Sequence, residues 1–154
     1  MTDQNRVYPV GIDVGFGEVK IVKLTDGKPR MTAFPAILGN AESTPQVTLR
    51  LHRNLHRART TRIVYQGQTF FVGEDALRYS RAYAARQDRQ RIGSLEERVL
   101  MLAALTRLDI YDCQIVTGLP VAWFDPADRR RLAHSWKGIH TFWLTSSSPS
   151  AREQ

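Results

Sequence analysis

Cysteine is almost absent from this sequence. Cys113 is the only one among 154 residues, so no disulfide can form within the chain. Long apolar runs are also missing, and no stretch reaches the roughly 18 residues that a membrane-spanning helix needs. The first residues lack the charged-then-apolar layout of a secretion signal. These absences argue against a disulfide-stapled or membrane-spanning protein and predict a cytoplasmic location, while an apolar content of 42% suffices for a hydrophobic core.

Acidic residues are missing between Glu42 and Glu74, in a chain whose formal net charge is +7. The same stretch contains five arginines: Arg50, Arg53, Arg57, Arg59 and Arg62. Such a cluster suits an acidic protein partner, nucleic acid or a bound nucleotide, or else forms a solvated loop. Aromatic residues are absent from Val47 to Ile63, so no base-stacking platform accompanies the charge. Any contact with nucleic acid is therefore expected to be to its phosphates.

Turn residues and hydrophobic periodicity predict a mixed α/β fold. The predicted order is strands over 6–14, 19–24 and 30–34, a hairpin over 62–72, a helix entered near 74, a helix over 95–108, a buried strand over 113–119, a helix from 125 and a strand over 139–144. Asp26-Gly27 is typical of a tight hairpin turn. Ser94 and Glu97 have the spacing of a helix capping box.

The first hairpin contains residues suited to phosphate chemistry. Asp13 ends the first predicted strand, where a hydrated divalent cation would satisfy its carboxylate. Gly15 and Gly17 allow backbone amides to approach an anion closely, and the Lys20 ammonium can fold back over the turn onto a phosphate. An ordinary hairpin with a solvated lysine explains the same residues. The sequence contains neither a Gly-x-x-x-x-Gly-Lys-Ser/Thr loop nor a Gly-x-Gly-x-x-Gly turn leading into a helix.

Four segments, in order along the chain, resemble a known family. The run Gly-Ile-Asp-Val-Gly-Phe-Gly over 11–17, followed by Lys20, is similar to the first phosphate motif of the actin, Hsp70 and sugar-kinase fold. Phe34-Pro35-Ala36, Phe-Val-Gly-Glu-Asp-Ala over 71–76 and Val-Thr-Gly-Leu-Pro-Val over 116–121 agree in order and distance. Residues 138–142 fall where that family returns to its sheet. More narrowly, residues 7–144 resemble the bacterial actin-like ATPases of the plasmid-segregation ParM/StbA type.

The resemblance implies a fold and a division of the chain. The fold is the ribonuclease H-like, actin-like N-terminal domain, in which a β-meander opens a mixed sheet flanked by helices. The implied domain covers residues 1–144, with a small subdomain inserted at roughly 35–85, and residues 145–154 are expected to be a disordered tail. The C-terminal half of the family, with its second phosphate loop, its adenosine-binding segment and its water-orienting residue, is expected to be absent, which leaves no catalytic residue in this chain.

The resemblance also implies a cofactor and partners. Asp13 would hold Mg²⁺ through water, and the turn formed by Gly15, Phe16, Gly17 and Glu18 would contact the β- and γ-phosphates of ATP, assisted by Lys20. The family self-associates into filaments and uses a DNA-bound adaptor protein. The five arginines lie in the inserted subdomain, which in that family reaches neighbouring protomers, so we expect them to contact protein.

Two other interpretations of the sequence remain open. The first is a non-polymerising ATPase or kinase of the same superfamily. The second is a basic module that binds DNA or an adaptor through Arg50 to Arg62, with purely structural glycines in the first hairpin.

Overall fold

The computed structural model describes residues 7–41, 61–80, 83–84 and 87–146. Arg50, Arg53, Arg57 and Arg59, and the last eight residues of the predicted tail, lie outside the described residues. The elements in chain order are β1 (Tyr8–Val14), β2 (Glu18–Thr25), β3 (Lys28–Pro35), β4 (Leu38–Asn40), β5 (Thr61–Tyr65), β6 (Gln68–Val72), α1 (Glu74–Tyr79), β7 (Tyr83–Ala84), α2 (Leu95–Arg107), β8 (Cys113–Val116), α3 (Pro126–Trp136) and β9 (Trp143–Ser146), with 3-10 turns at Arg89–Arg91 and Val121–Trp123.

The chain forms two compact units. The first contains Met1–Ala36 and Ala85–Gly138, and the second contains Ile37–Ala84 and Ile139–Gln154. The insertion predicted at 35–85 did not include the C-terminal stretch of the second unit. Within that stretch, β9 extends to Ser146, so Thr145 and Ser146 belong to a strand that begins later than predicted and continues into the predicted tail.

The sheet of the first unit has the order β3-β2-β1-β8. The three N-terminal strands form the predicted antiparallel meander, and β8 joins β1 in parallel. Asp26 and Gly27, with φ of 52° and 73°, form the turn between β2 and β3, because a hairpin turn of this kind needs positive φ at both central residues. Alternation along β2 buries Val19 and Ile21 and leaves their neighbours Glu18 and Lys20 exposed.

Helix α2 packs on β1, β2 and β3. Its first turn is capped as predicted, since the Glu97 amide donates to Ser94 Oγ at 3.1 Å. The sequence predicts that only one face of this helix is buried. In the structure every residue from Val99 to Leu105 is buried, so the helix is covered on more than that face. At the end of the helix, Lys23 Nζ donates to the Leu108 carbonyl at 2.5 Å, and this bond joins α2 to β2.

Strand β8 differs from its prediction. It is four residues long, and Gln114 and Val116 are exposed while Cys113 and Ile115 are half-buried. The apolar run predicted a strand buried on both faces, but β8 has only β1 as a hydrogen-bonded neighbour in the described sheet, so its outer edge is open.

The sheet of the second unit has the order β7-β4-β6-β5-β9, and every pairing in it is antiparallel. The predicted hairpin turns at Gln66 and Gly67, both with positive φ. Helix α1 packs on β4 and β6, and Gly39 allows this approach because a Cβ there would lie 1.8 Å from Ser80 Oγ. The strand near the C-terminus, β9, pairs with β5 in this second sheet.

Candidate functional site

The turn between β1 and β2 is closed by its own backbone. The Gly15 amide donates to the Glu18 carbonyl at 3.0 Å, and a Cβ on Gly15 would lie only 2.8 Å from that same oxygen. Glycine is therefore required at this position by close approach of the backbone. The Gly15 amide is thus engaged inside the turn, and the phosphate contact predicted for Gly15 stays a prediction.

Gly17 has the opposite surroundings. A Cβ on Gly17 would meet nothing within 4 Å, and its carbonyl accepts the Ala36 amide at 3.0 Å. In the described part of the chain, the amides of Phe16 and Gly17 donate to no backbone carbonyl. These two amides, beside the open space at Gly17, are the turn's available donors for an anion.

Charged side chains flank this turn in the predicted positions. Asp13 on β1 lies directly opposite Lys20 on β2, so both side chains project from the same face of the hairpin, and both residues are exposed. Lys20 Nζ lies 3.5 Å from Glu18 Oε2. Since both side chains are about half exposed, that ion pair contributes little, and Lys20 can exchange Glu18 for another anion.

Asp13 does not belong to a cluster of metal-binding side chains in the described part of the chain. Among the residues that the structure describes, no group of three or more histidine, cysteine, aspartate or glutamate residues is arranged to hold a metal ion. Mg²⁺ commonly keeps several water ligands and uses one or two carboxylates together with substrate phosphates. The donor set thus fits a hydrated Mg²⁺ bound with a phosphate and does not fit a metal held by protein ligands alone.

A cavity of about 270 Å³ lies beside the turn, within the first unit. Asp13, Gly15 and Phe16 line it from the hairpin, and Thr117 and Gly118 line it from the segment after β8. The ring of Phe16 packs edge-to-face on Trp123, with centroids 5.3 Å apart, and the Arg91 guanidinium carbon lies 5.6 Å from the Phe16 centroid. The Phe16 side chain therefore anchors the turn through these ring contacts.

Sequence reasoning missed the two buried charges of this cavity. Arg91 and Glu97 line it, and each is only 5% exposed. Glu97 Oε2 accepts the Gly93 amide at 2.7 Å. Burial raises the pKa of the Glu97 carboxyl and lowers the pKa of Arg91, because each charge has lost most of its hydration. Glu97 carried a sequence signal as a capping residue, whereas Arg91 carried none.

The arginine-rich stretch is represented in the structure by Arg62 alone. This residue lies on β5, half-buried, and its guanidinium carbon is 5.5 Å from the centroid of the Phe71 ring. Arg62 thus packs on the sheet of the second unit. The other four arginines lie outside the described residues.

The described helices were also compared with the requirements of a membrane span. In residues 7–41, 61–80, 83–84 and 87–146, no helix has both the length and the apolar character needed to cross a bilayer.

Solved structures of other proteins share this fold. Apo ParM of pSK41 superposes with a TM-score of 0.69 at 15% identity, covering 90% of this chain and 44% of that one. AlfA from the B. subtilis plasmid pLS32, a filament structure, gives 0.65 at 16% identity, covering 90% and 50%. Bacillus thuringiensis ParM with ATP gives 0.53 at 17% identity, covering 88% and 38%. The chain thus spans half or less of the length of each.

Sequence comparison supplies the family. No curated protein matches the chain. The family model described as the N-terminal domain of actin-like proteins matches residues 11–152, which is most of the sequence. This match confirms the resemblance seen in the phosphate motif and the three segments that follow it. The chain belongs to the actin-like proteins and forms their N-terminal domain.

Proposed function

We propose that this chain forms the phosphate-binding wall of an ATP-binding, filament-forming actin-like protein that acts in plasmid DNA segregation. The observation that carries the proposal is the β1–β2 turn. The uncommitted amides of Phe16 and Gly17 border open space there, and the hairpin carries Asp13 and Lys20 on one face.

Each residue of the turn has a distinct role in this proposal. The amides of Phe16 and Gly17 donate to phosphate oxygens, and Lys20 leaves Glu18 to place its ammonium on the phosphates. Asp13 holds a hydrated Mg²⁺ through its waters. The metal, when bound, neutralises phosphate charge. Gly15 closes the turn by donating its amide to the Glu18 carbonyl, and the phosphate contacts predicted for Gly15 and Glu18 remain part of this proposal.

The chain alone is expected to bind nucleotide weakly. It spans 44% of the pSK41 ParM structure, and no adenosine-binding segment was identified in its sequence. A phosphate group held on one wall keeps much of its hydration, so charge interactions with it stay weak. We therefore expect binding of Mg²⁺–ATP in the millimolar range and no hydrolysis by the 154-residue chain.

Filament formation and plasmid segregation rest on the fold. The AlfA neighbour is described as a filament structure from a plasmid, and another neighbour is a ParM with ATP. From this similarity we propose that the protein self-associates, uses a DNA-bound adaptor and is located in the cytoplasm. Arg62 packs against Phe71 and is poorly placed for a partner, so any contact by the arginine-rich stretch would fall to Arg50, Arg53, Arg57 and Arg59.

The phosphate assignment is tested by NMR. Titrating ¹⁵N-labelled protein with Mg²⁺–ATP should shift the amides of Phe16 and Gly17, and Gly17→Val should abolish those shifts by filling the open space. Thr25→Val, at the other end of β2, is the matched control and should behave as wild type. If Mg²⁺–ATP still shifts the amides of Phe16 and residue 17 in a folded Gly17→Val protein, the assignment is contradicted.

The proposed binding of Mg²⁺ by Asp13 is tested with a matched pair of variants. Asp13→Asn should remove the Mg²⁺ dependence of the ATP-induced shifts, because the amide carries no charge to hold the hydrated ion. Asp26→Asn, in the turn between β2 and β3, should leave the dependence intact, since asparagine tolerates the positive φ at that position.

Filament formation is tested by light scattering of the purified protein with and without Mg²⁺–ATP. A rise in scattering that requires ATP supports polymerisation. ATP binding without such a rise favours the non-polymerising alternative. A salt-sensitive gel shift without ATP binding favours the basic module.

A further inference from the structure

The Arg91 guanidinium is a buried cation without a matching anion. Its residue is 5% exposed, and its Nη2 has no hydrogen-bond partner. Arginine cannot discard its proton to escape this position, so the charge remains whatever the surroundings. A buried donor left unsatisfied is costly, and the cost falls when an oxyanion enters and accepts from it.

The nearest carboxylates do not supply that anion. Glu97 and Asp13 both attract Arg91, but no ion pair joins it to a carboxylate in the described part of the chain. Glu97 is already engaged, since its Oε2 accepts the Gly93 amide at 2.7 Å. Asp13 lies on the exposed face of β1. Arg91 therefore keeps an unsatisfied donor, and its residue lines the cavity.

The segment that carries Arg91 is held firmly. Arg89 Nε donates to Asp128 Oδ2 at 2.5 Å, and its Nη2 also pairs with Asp125, the residue that caps α3. From α3, Arg131 Nη2 donates to the Arg89 carbonyl at 2.9 Å. These contacts tie the 3-10 turn to α3, so Arg91 is placed in the cavity before any ligand arrives. Such preorganisation lowers the cost of binding.

The remaining walls leave room for a small anion. Thr117 and Gly118 are exposed on the lining segment after β8, and a Cβ on Gly118 would meet nothing within 4 Å. We propose that this cavity is an oxyanion site in which the Arg91 guanidinium binds a phosphoryl group, either free inorganic phosphate or the terminal phosphate of a nucleotide held on the turn. The nucleotide case rests on the proposed function, whereas the inorganic phosphate case stands without it.

Asp13 gives this site a distinctive response to Mg²⁺. Its carboxylate also lines the cavity and repels an incoming anion. A hydrated Mg²⁺ on Asp13 reverses that repulsion, so Mg²⁺ should strengthen phosphate binding. Asp13→Asn should strengthen binding in the absence of Mg²⁺ and remove the Mg²⁺ effect. Simple attraction of phosphate to exposed arginines predicts neither result.

The experiment follows the Arg91 Nε resonance and the Gly118 amide by NMR while inorganic phosphate, ADP or ATP is added, with and without Mg²⁺. Arg91→Met, which keeps the apolar stem, should weaken binding about tenfold or more. Arg91→Lys should restore part of the affinity. Arg129→Met, at an exposed arginine of α3, is the matched control and should change nothing. Inorganic phosphate binding alone identifies the free anion, and an Arg91-dependent preference for ATP over ADP identifies the terminal phosphate.

Several outcomes would overturn the inference. If Arg91→Met and the wild type bind phosphate with equal affinity, the binding is adventitious and does not involve Arg91. If Arg91→Met does not fold, Asp13→Asn decides, because unchanged Mg²⁺-free affinity in that variant contradicts the site. If ATP shifts the Gly17 amide with the same affinity in Arg91→Met as in the wild type, Arg91 does not bind the terminal phosphate and the turn assignment still stands. A response at Arg91 to inorganic phosphate, without any Gly17 shift on adding ATP, would support the oxyanion site and refute the turn assignment.

Discussion

The two units differ in what they bury. The first unit buries three charged side chains, those of Arg91, Glu97 and Asp128. In the described part of the second unit, the buried side chains are apolar or aromatic, with Phe71 the most enclosed. Charged groups are expensive to bury and perturbed ones cluster at functional sites, so this contrast associates the first unit with ligand chemistry.

The largest effect should come from the apolar core of the second unit. Phe71 is 0% exposed, packs beside Tyr79 and lies under Arg62. Phe71→Ala should cost about 3–5 kcal/mol, because the cavity it leaves adds to the lost transfer energy. Hydrogen exchange should show loss of protection in β5 and β6, with smaller losses for Phe71→Leu. Equal loss of protection in β1 and β2 would show that the two units unfold together.

A smaller effect is expected from glycine in the first unit. Gly15→Ala should destabilise the protein by about 1–3 kcal/mol, because the added Cβ presses on the Glu18 carbonyl. Gly17→Ala is the paired variant and should leave the free energy of unfolding nearly unchanged while weakening phosphate binding. Urea unfolding of both variants separates a structural glycine from one that leaves room for a ligand. Equal destabilisation by the two changes would contradict this distinction.

Helix capping provides the next comparison. Ser94 caps α2 with its side chain, and Ser94→Ala should cost about 1 kcal/mol. Ser94→Thr retains the hydroxyl and should cost less. The helix of the second unit has no equivalent bond to lose, because the N-cap residue of α1 is Gly73, which has no side chain and whose φ of 64° and ψ of −129° suit glycine alone. If the melting temperature of Ser94→Ala equals that of the wild type, the Ser94 side chain does not stabilise α2.

The smallest effect should come from arginines that cover aromatic rings, one in each unit. The Arg107 guanidinium carbon is 4.2 Å from the centroid of Phe34, and Arg62 is 5.5 Å from that of Phe71. Arg107→Met should cost about 0.5–1 kcal/mol. Arg62→Met should be nearly neutral, since it also removes a buried Nε that lacks a partner. Chemical denaturation measures both changes, with the exposed Arg78→Met as the control.

Local chemistry made much of the fold predictable. The Asp26-Gly27 and Gln66-Gly67 turns, the Ser94 cap and the Asp125-Pro126 helix start are all encoded within a few residues, and each lies where the sequence predicts it. Strand β8 was misjudged because its burial depends on how many strands lie beside it. The apolar run 113–119 contains no information about that neighbour.

The residues of the candidate site also fall into two groups: those that a local sequence pattern reveals and those that only the fold brings to the cavity. Asp13, Gly17 and Lys20 are close in sequence, so a pattern could find them. Arg91 reaches the same cavity only because α3 holds its segment through Arg89, and no local pattern encodes such a contact. Gly15 closes the turn through a hydrogen bond that the sequence did not predict, for a related reason. Its amide partner, Glu18, becomes apparent only when the backbone path is known.

Parallel pairing of β1 with β8 has a consequence for how the protein acquires its structure. The hairpins β1–β2 and β2–β3 join segments that are close in sequence and can form early. The sheet is complete only when Val10 pairs with Ile115, which is far along the chain. In the second sheet, Ile63 likewise waits for Leu144. Contacts this distant along the chain slow folding, because loop-closure entropy is lost before they form. During synthesis the β1 edge therefore stays unpaired until β8 leaves the ribosome, and this interval is when the nascent chain is most exposed to aggregation.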